Sequence, residues 1–278
     1  MLLVAFFLPR SSPKVNTGFV HVIRNFNENL FYEGIGEANR NELQFTDRDM
    51  LGGLVPHHDL VGGMIAGFFR NLSERKPATL ILIGPNHNNT GDFEVLTSDW
   101  DWASPFGVVE ADKAFVMEFI QSGLAIKGGE ILSEEQSLTA LIPFIKYYLP
   151  ETKVVPVVFK STTSLDESML IADFLYKKMT ENKLLVASVD FSHYLSSNRA
   201  YENDQMTYDL IFRKEIEKLF SLDSDYLDSP QALSILIKVM EKMNASGPEV
   251  LSYKNWGNLF GGVGDETTSY FSLLYMKR

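Results

Sequence analysis

Residues 78–84 read ATLILIG, an apolar run with no alternation, closed by a glycine. A strand with one face in water alternates apolar and polar residues, so a run this uniform belongs to a strand buried on both faces. Lys183–Val189 (KLLVASV), Lys153–Phe159 and Leu51–Pro56 have the same character. Amphipathic stretches at helical spacing lie between and after them: Val61–Arg75, Ala111–Ser122, Leu165–Thr180, Arg199–Phe220 and Pro230–Met243. Ser133, with Gln136 three positions on, reads as a capping box that starts a further helix. Val250–Asn255 and Thr267–Met276 read as closing strands. Buried strands alternating with helices predict an α/β fold, a single domain whose mostly parallel central sheet carries helices on both faces. Residues 51–278 are assigned to that domain, and residues 1–50 to an N-terminal extension with the first strands. Within the extension, residues 11–50 show no clean period and are expected to be extended strands and loops.

The chain has 278 residues and a net charge of -11. No basic stripe interrupts that acidity, so neither nucleic acid nor an anionic membrane surface is an expected partner. There is no cysteine, which excludes disulfides, thiolate-bound zinc or iron–sulfur clusters, and cysteine nucleophiles. The apolar run Leu2–Leu8 is far short of the roughly 20 residues that span a bilayer. It has no basic segment before it and reads as a first strand or a frayed end. A cytoplasmic location is the expectation, the alternative being export or membrane anchoring if the true start lies upstream of Met1.

The five histidines are His21, His57, His58, His87 and His193, and all but His21 follow a predicted strand. Leu51–Pro56 runs into His57 and His58, Ala78–Gly84 is followed by Pro85-Asn86-His87, and Lys183–Val189 by Asp190-Phe191-Ser192-His193. Parallel strands deliver such loops to one sheet edge, where open α/β sheets bind ligands. One loop histidine by itself is most simply a capping or hydrogen-bonded residue; three at equivalent positions point to a shared site. Imidazole with carboxylate suits iron, copper, nickel or zinc. Asp59, Asp190, Asp228 and Glu135 are the carboxylates nearest these loops, with helix capping as their alternative role.

Pro56-His57-His58-Asp59, Ile83-Gly84-Pro85-Asn86-His87-Asn88 and Ser188-Val189-Asp190-Phe191-Ser192-His193-Tyr194 together resemble the Memo family, also called AmmeMemoRadiSam system protein B. Glu134-Glu135-Gln136-Ser137-Leu138 ahead of Ile142-Pro143-Phe144 fits the same order, and the resemblance spans roughly residues 51–276. That family is similar in fold to class III extradiol dioxygenases, which hold Fe(II) with histidines and a carboxylate. The resemblance implies His57, His87 and His193 as metal or catalytic histidines, with Asp190 beside them. Asp228 is added as a carboxylate ligand, and Tyr194 as a hydrogen-bond donor to bound oxygen or substrate, the alternative being a buried tyrosine with a satisfied hydroxyl. The implied cofactor is a divalent metal, Fe(II) or copper, with zinc as the alternative. The implied activity is metal-dependent redox or dioxygenase-like chemistry on a small substrate. The competing reading is a non-catalytic protein that uses the cleft for a peptide, or for the radical-SAM and AMMECR1-like proteins of the same system. Metal-assisted hydrolysis, with Asp190 or Glu135 as base, is a third.

Two departures bear on activity. Gln136 stands where the family has a histidine and Thr139 where it has a glutamate, so ionisable groups are missing. Asp228-Ser229 stands where relatives often carry a cysteine; carboxylate in place of thiolate moves metal preference from Cu(I) toward Fe(II), Mn or Zn. Elsewhere, the glycines at 52–53, 62–63 and 261–264 fit no phosphate loop and read as turns and close packing. Trp100 and Trp102 are read as plugging the helix layer or walling a pocket, and Asn86, Asn88 and Asn89 as turn formers, the alternative being that they orient a bound ligand or water. Ser192-His193 is rejected as a hydrolase pair, since no Gly-x-Ser-x-Gly elbow is present.

Overall fold

The fold was obtained as a computed structural model that describes residues 19–41, 43, 49–255 and 267–278. The readings of Leu2–Leu8 and Gly261–Gly264 lie outside the described residues. The chain begins with β1 (Val20–Val22), α1 (Glu28–Arg40), β2 (Met50–Val55), α2 (Gly62–Leu72) and β3 (Thr79–Pro85). Short strands β4 (Val95–Thr97), β5 (Asp101–Ser104) and β6 (Gly107–Val109) lead to α3 (Lys113–Gln121) and β7 (Ile126–Lys127). Next come α4 (Gly129–Glu134), α5 (Gln136–Thr139), α6 (Ile142–Tyr148), β8 (Lys153–Phe159), α7 (Leu165–Lys178) and β9 (Lys183–Ser188). The last elements are α8 (Ser197–Arg213), α9 (Ile216–Phe220), α10 (Pro230–Lys242), β10 (Ser246–Asn255) and β11 (Ser269–Met276).

The main sheet has the order β10-β11-β2-β9-β3-β8-β4-β7, and its centre, β2-β9-β3-β8, is parallel. Antiparallel β11 joins β2 on one side and antiparallel β4 joins β8 on the other, so the sheet is mixed around a parallel middle. The uniform apolar runs are explained by two cores. Along β3, Ile81 and Ile83 enter one hydrophobic cluster, Leu80 and Leu82 the other. β9 divides likewise, Leu185 and Ala187 against Leu184 and Val186. Helices α3, α7 and α10 cover the first cluster, α2 and α6 the second.

Three expectations are corrected. Residues 28–40 are helix, not extended chain. Asn27 caps α1 by accepting the Leu30 N–H, and Phe31, Gly34, Ile35 and Ala38 form its buried stripe. Two glycines in 13 residues weaken the local helical signal, but Gly34 is where α1 crosses α2: a Cβ there would lie 2.5 Å from the Gly62 carbonyl carbon. Tertiary packing therefore overrides propensity. Second, the Ser133–Gln136 capping box does not form. Ser133 sits inside α4 and donates to the Gly129 carbonyl, while Glu135 caps α5 through the Ser137 N–H. Third, the helix read over Arg199–Phe220 is two, broken at Lys214 in a left-handed conformation (φ 59°).

Gly52 lies within β2 rather than in a turn, and a Cβ there would be driven into the Leu185 carbonyl oxygen of β9. Gly52→Ala is expected to destabilise the protein by about 2–3 kcal/mol, the scale of core overpacking. Urea denaturation measures it; an unchanged midpoint would contradict this strand spacing. Among the described residues no helix is long and apolar enough to cross a membrane.

Candidate metal centre

Strands β2, β3 and β9 run parallel, so the loops after their carboxyl ends emerge on one sheet edge. His57, His87, Asp190 and His193 all line a cleft of about 620 Å³ there. Asp228 arrives from much later in the chain. Residues 190–191 and 227–228 lie side by side, with Phe191 bridged to Leu227 and the Asp228 N–H donating to the Asp190 carbonyl at 3.1 Å. The Asp190 N–H in turn donates to Asp228 Oδ2 at 3.2 Å. Backbone pairing thus holds the two carboxylates together.

His57 Nε2 stands 3.2 Å from Asp228 Oδ2 and 3.6 Å from Asp190 Oδ2, and His87 Nε2 is 3.6 Å from Asp228 Oδ2. The far side of each ring is fixed. Ser188 Oγ donates its proton to the Ser137 carbonyl at 2.6 Å, so it accepts from His57 Nδ1 at 3.0 Å. The Glu135 carboxylate takes His87 Nδ1 at 2.6 Å while accepting the His87 and Ser137 N–H groups. In both rings the Nδ1 side is occupied by an acceptor and Nε2 is presented to the cleft, the arrangement that outer partners impose on metal-ligating histidines.

His57, His87 and Asp228 form one trio whose donor atoms all lie within 4.8 Å of one another, and Asp190, His193 and Asp228 form another. Asp228 Oδ1 and His193 Nδ1 are buried without a hydrogen-bond partner among the described residues. An unsatisfied buried polar atom costs about 1–3 kcal/mol. A cation would relieve it, and carboxylate with imidazole is a donor set for a divalent transition metal. The residues present therefore fit such an ion.

The electrostatics agree. Burial disfavours the charged ring of His57, yet Asp190 and Asp228 outweigh it and raise its pKa. Burial also opposes charge on His87, but hydrogen bonds to Asp228 and Glu135 push its pKa up to about 10. The carboxylates separate. Burial works against the charge on Asp228, but the hydrogen bonds from His57 and His87 and the charges of His57 and His193 together outweigh it and keep its pKa well below the usual range. Asp190 is shifted up, by burial and then by its charged neighbour Asp228, against the pull of His57. Environments that push two adjacent carboxyls apart are typical of acid–base sites.

Other expected residues fall variously. Tyr194 borders the cleft but is 77% exposed, with φ 55°, so it is not a buried tyrosine with a satisfied hydroxyl. Asp59 lies in a 3-10 turn outside the cleft. Gln136 lines the cleft; Thr139 does not and borders the smaller hollow on the other side of Gln136. Asn86 closes a turn with Thr90, and Asn89 accepts the Ser161 N–H. Trp102 is buried in β5 against His21, and neither it nor Trp100 reaches the cleft. Ser188, Ser137, Ser224, Asp225 and Gln231 were not singled out from sequence. Only Ser188 carried a signal, a polar residue ending an apolar strand.

These features define a class: an α/β protein with a candidate His/Asp metal site beyond the carboxyl ends of a parallel sheet centre. The chain belongs to the Memo-like protein family, whose sequence model matches residues 28–274. It is similar to a MEMO1 family protein of Pyrobaculum arsenaticum, 30% identical over 238 residues, 81% of this chain and 83% of that protein. A MEMO1 family protein of Pyrobaculum aerophilum is 27% identical over 240 residues, 82% of this chain and 84% of that protein. One from Methanopyrus kandleri is 24% identical over 268 residues, 92% of this chain and 93% of that protein.

Proposed function

We propose that this chain is a metal-dependent protein with redox or dioxygenase-like activity on a small substrate held in the cleft. The observation that carries the reading is the pair of His57 and His87 Nε2 atoms aimed at Asp228, each ring braced from behind. His57, His87 and Asp228 would hold the ion, with His193 and Asp190 completing its surroundings. A bound divalent metal, Fe(II) or copper in the first instance and zinc as the alternative, would supply Lewis acidity toward a substrate oxygen. Asp190, buried and shifted toward its protonated form, would hold or accept the substrate's proton. Tyr194 at the cleft edge would donate a hydrogen bond to the substrate.

The second reading is non-catalytic. Gln136 faces the cleft and has no ionisable group, which favours a protein that binds a peptide or the radical-SAM and AMMECR1-like proteins of its system. Elemental analysis of anaerobically purified protein, and of protein reconstituted with Fe(II), Cu and Zn in turn, tests the metal. Near-stoichiometric metal, lost in His57→Ala, His87→Ala and His193→Ala, is the expected result; none in the wild type sinks it. Oxygen consumption with phenolic compounds then separates catalysis from binding.

Metal uptake must displace protons from His57 and His87, whose pKa values are raised, to about 10 for His87. Zn²⁺ affinity is therefore expected to rise from pH 7 to pH 8 by about tenfold per proton released. A flat profile would remove His87 from the ligand set. Ser188→Ala, which removes the acceptor behind His57, is expected to weaken Zn²⁺ binding by about 10–100-fold.

A further inference from the structure

The charge of the cleft wall bears on what it admits. Asp190, Asp225 and Asp228 line it, and among the described residues no lysine or arginine does. Asp190 and Asp228 belong to the cluster that would hold a divalent ion, whereas Asp225 lies outside both trios and puts a separate carboxylate on the wall.

The uncharged groups do not reverse this. Gln231 donates its amide N–H to the Ser161 and Thr163 carbonyls, so Oε1, an acceptor, remains for a ligand. The amino end of α10 lies beside the cleft, but Pro230 has no N–H, Ser229 Oγ takes that of Ala232 and the Ser229 carbonyl that of Leu233, which leaves the single N–H of Gln231. Recognition of carboxylate or phosphate uses an arginine fork, a lysine or free helix-terminal amides. Among the described residues this wall has no arginine or lysine and offers the Asp225 carboxylate in their place.

We infer that the cleft selects neutral or cationic polar molecules, an amine-bearing compound above all, and discriminates against carboxylate- and phosphate-bearing ones. The inference rests on the metal-centre reading. Asp225 would act as a specificity residue near the ligand's amine. Ser224, exposed on the same loop and part of the same wall, is a place where charge can be changed without touching the cluster.

The test uses the full chain reconstituted with Zn²⁺, a redox-inert ion, and three catechols that share one chelating ring. Dopamine is cationic, catechol neutral and protocatechuate anionic; calorimetric titration at low salt gives their affinities. Dopamine is expected to bind roughly tenfold or more tighter than protocatechuate, the effect of one poorly screened charge contact. The preference should shrink in Asp225→Asn, shrink in high salt, and invert in Ser224→Lys. If zinc does not load, the metal-centre reading falls and takes this inference with it. If zinc loads but none of the three binds, or protocatechuate binds as well as dopamine, the inference is overturned and the metal centre stands.

Discussion

Asp228→Ala is expected to weaken Zn²⁺ or Fe(II) binding by more than about 100-fold, beyond what the loss of an outer partner costs. Asp228 is the member common to both trios of donor atoms and the acceptor toward which both Nε2 atoms point. Its removal leaves the two imidazoles edge-to-face, with ring centroids 5.1 Å apart, and Asp190 as the carboxylate beside His57. The same change should bring the pKa values of His57 and His87 down, because Asp228 contributes to raising both. Competition titrations with a chelator, alongside NMR titration of the imidazoles in metal-free protein, measure the two effects. Wild-type affinity in Asp228→Ala would show that the ion sits elsewhere. Since Asp228 also accepts the Asp190 N–H, Asp228→Asn is the milder companion that keeps an acceptor there.

The second large effect concerns His21, remote from the cleft. It is fully buried, stacked on Trp102 with centroids 4.0 Å apart and bracketed by Ser133 at Nδ1 and Ser98 at Nε2. Ser133 spends its proton on the Gly129 carbonyl, so Nδ1 carries the ring proton and Nε2 accepts from Ser98. A neutral ring satisfies both contacts and keeps the Ser98 hydroxyl proton paired. Burial lowers the pKa to about 4, against the pull of Asp101 and Asp99. The unfolded chain titrates near 6.5, so between about pH 6.5 and 4 it binds a proton that the folded protein refuses. Stability is then whole above pH 6.5 and falls by roughly 3 kcal/mol as the pH drops to 4. Urea titrations across that range should show the loss in wild type, and a shallower slope in His21→Gln. Parallel slopes would mean that the ring takes up its proton without penalty.

The contrast between these two sites indicates what is legible in a sequence. The parallel centre was legible because burial on both faces leaves its mark on each strand separately: β3 and β9 are apolar at nearly every position. The three histidine loops were legible for the same reason, since a parallel strand fixes the edge to which its carboxyl end delivers a residue. Helix α1 was not, because a short stripe containing Gly34 forms only when α2 is there to receive it.

Asp228 was named from sequence, but its neighbours were not determined by it. Helices α8 and α9 stand between Asp190 and Asp228, and the Phe191–Leu227 bridge with the hydrogen bonds between the two aspartates closes that distance. The orientation of the rings is likewise a tertiary property, because Ser188 must give its proton to Ser137, on a different element, before His57 is fixed. Sequence by itself determined which side chains reach the carboxyl edge of the sheet, through periodicity and strand direction, which are local. Tertiary structure decided which of them share an ion's volume, with which ring nitrogen and against which charge, because those depend on contacts between segments that no local pattern couples.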